Sequence, residues 1–365
     1  MKITDSTALI KPVSALCPMR CSYCFYNDIA SKRNIFNYPK MSLSTLETII
    51  EMYTNDASRS ATFLFQGGEP LAAGLDFFSF YVKKIRKIAQ ARPELLINSC
   101  VQTSGILIND KFAHLFKEGN FLVGISLDGP QEIHDANRRL KNGFGTFDKV
   151  MRGIQYLEDK SVAFNILCVI NQNNVREAVA LWNFFKEKNF SFLQFIPALS
   201  SIDSPGCLIS DDEYANFVSE IFNLWYEDFI RGNYISVRFI DDLFAILAGK
   251  KATSCDMQGH CTHQHVIEAD GSVYPCDFYV LDKFKISKVT EPANINHQAL
   301  TRFLTSPPLF HECPQCCLHQ VCRCGCKRYL QKDGRPFLCK TYKMLFKKYK
   351  EQIDAVLKII TSQYS

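Results

Sequence analysis

Three cysteines within eight residues, Cys17-x3-Cys21-x2-Cys24, constrain this chain more than any other stretch. A closed zinc or iron–sulfur site takes four protein ligands. Three thiolates on one short loop can hold a cubane cluster and leave one iron open. A cofactor or substrate can bind an open iron, so the spacing reads as catalytic. A zinc knuckle drawing its fourth ligand from elsewhere is the plainer alternative. Zinc sites, however, usually bring cysteines as x2 pairs on two knuckles.

Around this loop, short apolar runs alternate with amphipathic helical ones. Strands are predicted over 8–13, 61–65, 95–102, 121–127, 163–170 and 190–196, and helices over 44–54, 75–91, 110–117, 146–158 and 175–188. These are six βα units, short of the eight that close a full barrel. Such alternation means a parallel sheet, with ligands at the carboxyl ends of its strands. The cysteine loop, Gly67-Gly68-Glu69 and Ser126-Leu127-Asp128-Gly129 all occupy that position. An aromatic-rich helix is predicted over 211–230, and a domain boundary near Gly232. Residues 1–232 then form an α/β domain. Residues 233–365 form a cysteine-dense one, with a hairpin signal at Asp270-Gly271 and a lysine-rich helix over 341–360.

The N-terminal residues lack a signal-type apolar segment, and no run of 18 apolar residues exists. A cytoplasmic location, where thiols stay reduced, is the expectation. Sixteen cysteines in such a compartment point to metal or clusters rather than disulfides. Thiolate clusters are oxygen-sensitive, so an anaerobic host is expected. The net charge of +5 is mild and does not indicate nucleic acid.

In Gly67-Gly68-Glu69-Pro70, two glycines let a ligand approach the backbone without a Cβ in the way. Glu69 could accept hydrogen bonds from an ammonium group. Alone the motif is an ordinary turn with a capping carboxylate. Beside an open iron, it suits an amino acid chelating a cluster through its amino and carboxylate groups. The C-terminal third supplies Cys255, Cys261 and Cys276, then Cys313-x2-Cys316-x5-Cys322-x3-Cys326, then Cys339. Eight thiols suffice for two closed clusters, which would carry electrons rather than bind substrate. Zinc stays open here, because Cys313 and Cys316 form an x2 pair.

The first cysteine motif with its aromatic Tyr23, together with Gly67-Gly68-Glu69, resembles the signature of the radical S-adenosylmethionine (SAM) enzymes. In that superfamily a 4Fe–4S cluster reductively cleaves S-adenosylmethionine to a 5′-deoxyadenosyl radical. The resemblance implies an α/β fold, a partial (β/α)6 TIM-like barrel. It also implies that Gly67, Gly68 and Glu69 hold the methionine moiety and that the backbone around Tyr23 faces adenine. Ser126 and Arg138 would reach ribose and carboxylate, and Leu199 would pack near adenine. The later spacings resemble the SPASM domain of radical enzymes that modify peptides. There Cys255, Cys261, Cys276 and Cys326 would hold the cluster nearer the active site, and Cys313, Cys316, Cys322 and Cys339 the outer one. Three 4Fe–4S clusters and S-adenosylmethionine are then the cofactors. Cys100, Cys168, Cys207, Cys317 and Cys324 are left without a ligand role. Cys324-Gly325 stands where that family usually has Gly-Gly.

Lys11-Pro12, Cys24-Phe25-Tyr26, Phe65-Gln66-Gly67-Gly68-Glu69-Pro70, Gly124-Ile-Ser-Leu-Asp-Gly-Pro130 and Tyr274-Pro275-Cys276-Asp277-Phe278-Tyr279 resemble the anaerobic sulfatase-maturating enzymes over nearly the whole chain. Two departures are visible: Gln102-Thr103-Ser104-Gly105 for Gln-Thr-Asn-Gly, and Lys285-Ile-Ser-Lys288 for Leu-Gly-Asn-Ile. The resemblance implies oxidation of the cysteine or serine in a Cys/Ser-x-Pro-x-Arg segment of a sulfatase to Cα-formylglycine. Asp277 would take the proton, beside a cluster that accepts the electron. A flavodoxin- or ferredoxin-type reductant and a monomeric enzyme are expected. The rival is a SPASM enzyme that builds thioethers or epimerises peptides, though no separate leader-binding domain is expected before Ala8. An electron carrier or zinc scaffold is the non-enzymatic alternative.

Overall fold

Each of the six predicted strands is present and is followed by helix. The structure, a computed structural model, describes residues 3–362 apart from 205, 306 and 308. The first half of the chain runs β1 (Ile3–Ile10), α1 (Phe25–Ser31), α2 (Leu43–Asp56), β2 (Ala57–Phe65), α3 (Leu75–Ala91), β3 (Leu96–Thr103), α4 (Asp110–Glu118), β4 (Phe121–Ser126), α5 (Gln131–Asn137) and α6 (Phe147–Asp159). It continues with β5 (Phe164–Ile170), α7 (Ala178–Glu187), β6 (Phe192–Pro197), α8 (Asp211–Ile230), β7 (Ser236–Val237) and α9 (Arg238–Leu247). The cysteine-dense part contributes β8 (Val266–Ile267), β9 (Ser272–Tyr274), β10 (Ser287–Lys288), α10 (His297–Leu304), α11 (His319–Cys322), α12 (Cys339–Lys348) and α13 (Lys350–Ser362).

The chain folds as two compact units that interleave in sequence. The first comprises residues up to Leu127, Asn137–Asn165 and Thr262–Thr305. In it β1, β2, β3 and β4 pair in parallel, neighbour to neighbour. The other edge of β1 takes β8, also in parallel, through Leu9 and Ile10. β8 and β9 form the expected hairpin, with Gly271 at φ 79° in its turn. The core is aromatic: α3 places Phe77, Phe78 and Tyr81 at helical spacing against Phe65 of β2 and Phe121 of β4. Ring centroids there lie 4.8–6.3 Å apart, the range of favourable edge-to-face pairs. Asn109 caps α4 by accepting from the Phe112 N–H at 3.0 Å, which fixes where the helix leaves the β3 end.

The second unit comprises Asp128–Ala136, Ile166–Cys261 and the described residues after Thr305. Here β5, β6 and β7 pair in parallel. The long helix α8 starts in a capping box between Ser210 and Glu213. It buries Trp225, Phe222 and Phe217. Its Asp228 accepts from Trp182 of α7 at 2.8 Å and from Lys186 at 2.7 Å.

Two expectations need correction. The first strand is Ile3–Ile10, not 8–13. Its polar half is held by parallel pairing to β2, which an apolar pattern cannot reveal; Lys11 still donates its N–H to the Ile267 carbonyl at 2.8 Å, and Pro12 and Val13 enter a turn. The C-terminal helix is two helices, α12 and α13, parted at Tyr349. Tyr349 leaves helical geometry and lies 5.0 Å from the Phe222 ring, with Ser219 donating to its hydroxyl. Tertiary docking, rather than a glycine or proline, breaks the run.

His263 stacks on His265 at 3.8 Å, and its Nε2 is buried without a hydrogen-bond partner. Burial, with the neighbouring His265 second, lowers the His263 pKa from 6.5 to about 4. The unfolded chain therefore binds that proton first as pH falls. The stability contributed is complete above pH 6.5 and is lost on descending to about 4. Urea midpoints measured across this window should fall, and His263→Phe should flatten the decline.

Candidate active site

The three-cysteine loop follows β1 and is stitched to the glycine turn that follows β2. The Glu69 N–H donates to the Leu16 carbonyl at 2.9 Å. Gly68 has φ +55°, and a Cβ there would lie 2.4 Å from the Leu16 oxygen and 2.7 Å from that of Ser14. Only glycine allows this approach. On its other side the loop is held by main-chain bonds from Arg20 to Arg139 and from Ser22 to Asn137. Ser22 also donates through Oγ to Asn137 at 2.7 Å. A cavity of about 930 Å³ opens over the loop, lined by Cys17, Cys21, Cys24, Met19, Tyr26 and Gly68 among others. That is the size of a cofactor pocket.

The donor set fits an iron–sulfur cluster. Burial above all raises the Cys17 thiol to about 12, against the Met19 N–H that lowers it, with smaller upward contributions from Glu69, Cys21 and Cys24. Three sulfurs crowded on one cavity wall repel one another as thiolates, and bound iron would relieve that repulsion.

The Glu69 carboxylate does not stand free. It is fully buried and accepts from the Thr103 hydroxyl at 2.6 Å, the Ser104 N–H at 2.9 Å, the Leu71 N–H at 3.2 Å and the Ser104 hydroxyl. Four donors fill a carboxylate's lone pairs. Glu69 therefore fixes the turn between the ends of β2 and β3, and Gly68 lines the cavity over the cysteine loop. Ser126, at the end of β4, accepts from Gln102 at 3.1 Å. The Arg138 guanidinium lies 5.4 Å over the Tyr23 ring, so those two expected contacts meet. Leu199 lies in the second unit, after β6, paired with Cys207.

Asp277 is buried beside Cys276 and is held from two sides. Gln66 donates to Oδ2 at 2.7 Å, and the Lys11 ammonium pairs with Oδ1. Lys11 is itself fully buried, with Nζ 3.9 Å from the Tyr26 ring centroid. It also presses on Gly67, where a Cβ would lie 2.9 Å from Nζ. The Tyr26 hydroxyl donates to Glu268 at 2.9 Å, and Arg33 and Ser14 bond the same carboxylate. The Cys276–Asp277 turn is thus wired to the cysteine loop through Lys11 and Tyr26. Sequence reasoning gave Lys11, Gln66, Thr103 and Ser104 no role. The available signal was a lysine inside the otherwise apolar run 8–13.

In the second unit, Cys313, Cys316, Cys322 and Cys339 form one group of thiols. Burial raises Cys322, and Cys339, Cys313 and Cys316 add to the shift. Cys326 is pushed up to about 12 by burial, with Cys255 and Cys261 near enough to contribute. Cys276 belongs to the first unit and is buried.

Residues 12–182 match the Radical SAM superfamily. A cysteine-type anaerobic sulfatase-maturating enzyme of Clostridium novyi is 40% identical over 365 residues, 96% of this chain and 97% of that protein. The chain belongs to the anaerobic sulfatase-maturating enzymes. A serine-type member from Bacteroides thetaiotaomicron is 31% identical over 390 residues, 97% of this chain and 92% of that one. The solved structure of native anSMEcpe with bound AdoMet and Cp18Cys peptide aligns with a TM-score of 0.87 at 36% identity, over 98% of this chain and 99% of that one. The α/β fold with its parallel sheet is therefore that of the radical SAM enzymes. No helix among the described residues is long and apolar enough to cross a membrane.

Lys11 and Asp277 form a buried ion pair, and removing one partner of such a pair costs about 3–5 kcal/mol. Lys11→Met should lower the urea midpoint of the apoprotein accordingly. The double variant Lys11→Met/Asp277→Leu should recover most of the loss.

Proposed function

We propose that this enzyme oxidises one cysteine of a sulfatase polypeptide to Cα-formylglycine, with Asp277 as the general base. The observation that carries the assignment is the pinned carboxylate. An ammonium on one oxygen and an amide on the other fix its rotamer, beside Cys276 and joined through Lys11 and Tyr26 to the cavity over the three-cysteine loop. A base must lie within about 3 Å of the proton it takes, and a fixed rotamer allows that. The sequence supports cysteine over serine, since the cysteine-type relative is 40% identical and the serine-type one 31%.

Cys17, Cys21 and Cys24 would hold the 4Fe–4S cluster that binds S-adenosylmethionine; together these supply the hydrogen-abstracting radical. Gly67 and Gly68 would receive the methionine moiety through main-chain atoms, with Glu69 holding the turn. Tyr23 and Arg138 would flank the nucleoside, with Ser126 and Leu199 completing its contacts as the family resemblance implies. After loss of hydrogen from the target Cβ, one proton and one electron must leave. Asp277 would accept the proton from the thiol, leaving a thioaldehyde that water hydrolyses to the aldehyde with release of hydrogen sulfide. The ligand sets Cys255, Cys261, Cys276, Cys326 and Cys313, Cys316, Cys322, Cys339 are carried over from the SPASM resemblance and would give two further 4Fe–4S clusters. The mutual neighbourhood of the second set supports that reading. Residues 1–232 would then be the radical domain and 233–365 the auxiliary-cluster domain. The substrate would carry Cys-x-Pro-x-Arg, the reductant would be flavodoxin- or ferredoxin-like, and the enzyme would act as a cytoplasmic monomer.

The test is mass spectrometry of a Cys-x-Pro-x-Arg peptide incubated anaerobically with reduced enzyme and S-adenosylmethionine. Loss of sulfur with gain of oxygen is expected; a thioether cross-link or an unchanged peptide refutes the reading. Asp277→Asn should retain about twelve irons per chain, three cubanes of four, and bind S-adenosylmethionine, yet form no product. Wild-type turnover by that variant would remove Asp277 from the mechanism.

A further inference from the structure

Arg328 comes two residues after Cys326 and is only 2% exposed. Its Nη2 donates to the Ser200 carbonyl, while Nε and Nη1 are buried with no hydrogen-bond partner. Its main-chain N–H donates to the Cys326 sulfur at 3.4 Å. The placement is held from both sides. Ser200 lies in the loop after β6, closed by its own N–H to the Gly206 carbonyl at 3.2 Å and by the pairing of Leu199 with Cys207. On the Arg328 side, the Phe337 N–H donates to the Tyr329 carbonyl at 3.2 Å, and Leu330 pairs with Pro336.

A guanidinium cannot shed its charge, and a buried one is tolerated only with a counter-charge and with its donors bonded. Two buried cations of the first unit obey this: Lys11 pairs with Asp277, and Arg33 with Glu268. Arg328 has no such carboxylate among the described residues. What surrounds it in the second unit is sulfur. Burial pushes the Cys207 thiol up to about 12; Arg328 draws it down and Cys326 raises it, so guanidinium and sulfur act on the same thiol. Four thiolates around a 4Fe–4S core leave a net negative charge, and an added electron deepens it. Such a group supplies both things that Arg328 lacks, an opposite charge and sulfur acceptors for Nε and Nη1.

We propose that Arg328 is the counter-charge of the cluster assigned to Cys255, Cys261, Cys276 and Cys326, and that it raises the reduction potential of that cluster. The proposal rests on the reading that these four thiols hold a cluster. A fixed positive charge favours the reduced form over the oxidised one, and N–H donation to sulfur acts in the same direction. The electron that leaves the substrate radical as Asp277 takes the proton needs an acceptor that will hold it. Arg328 strengthens that hold by one unit of charge, and it does so without itself gaining or losing a proton.

The test is an anaerobic redox titration of the holoenzyme, followed by electron paramagnetic resonance, on wild type, Arg328→Lys and Arg328→Gln, with iron counted in each. All three should hold about twelve irons, three cubanes of four. In Arg328→Gln one of the three couples should fall, by about 59 mV for a tenfold weaker hold on one electron. In Arg328→Lys, which keeps the charge, that couple should fall by less. Loss of about four irons from Arg328→Gln alone would also support a counter-charge; loss from both variants would overturn it. Three unmoved couples in Arg328→Gln, or an equal fall in the two variants, would overturn the proposal. Unmoved potentials with a raised KM for the peptide would place Arg328 against the substrate and overturn it too. Fewer than twelve irons or fewer than three couples in wild type would instead overturn the cluster assignment on which it rests.

Discussion

A buried ammonium organises this active site. Lys11 directly follows β1 with no exposure to water, and a charge so placed is tolerable only when paired and bonded. Three different parts of the chain meet that demand. Asp277 supplies the opposite charge, the Tyr26 ring supplies its negative face, and Gly67 supplies the space. Each of the three belongs to a different segment: the turn after the β8–β9 hairpin, the helix after Cys24, and the glycine turn. Satisfying one charge therefore brings Asp277, the cysteine loop and the glycine turn into a common frame. The neighbouring Arg33–Glu268 pair, buried on both sides, repeats the device one layer further in.

The same logic separates what was legible in the sequence from what was not. Cysteine spacing is local, so the three-thiol loop and the later thiols could be read directly. Strand–helix alternation is also local, and all six units were found. Lys11 and Asp277 are 266 residues apart, and their meeting depends on β8 pairing with the far edge of β1 through only two residues. No periodicity marks so short a strand. Glu69 was recognised, but its partners Thr103 and Ser104 come from the end of β3. Its carboxylate consequently looked available when it is saturated. Tyr349 breaks its helix for the sake of a ring contact that propensity does not encode.

One departure from the family pattern becomes intelligible in this light. Ser104 stands in place of asparagine, and its N–H and hydroxyl both donate to Glu69. What the position needs is a second donor aimed at the buried carboxylate, and a short hydroxyl provides one. The other departure, around Lys285 to Lys288, includes β10, whose two residues pair with β9 through the backbone. Side-chain identity matters less where main-chain pairing carries the contact.

The first unit draws its hairpin from a segment, Thr262–Thr305, that lies far along the chain. During synthesis, at about 5–20 residues per second, Lys11 leaves the ribosome tens of seconds before Asp277. Over that interval the edge of β1 has no strand beside it and the ammonium has no counter-charge. The nascent chain thus carries its three cysteines before the hairpin joins β1. Completion of this sheet edge, and of the Lys11–Asp277 pair, is in this way timed by translation itself.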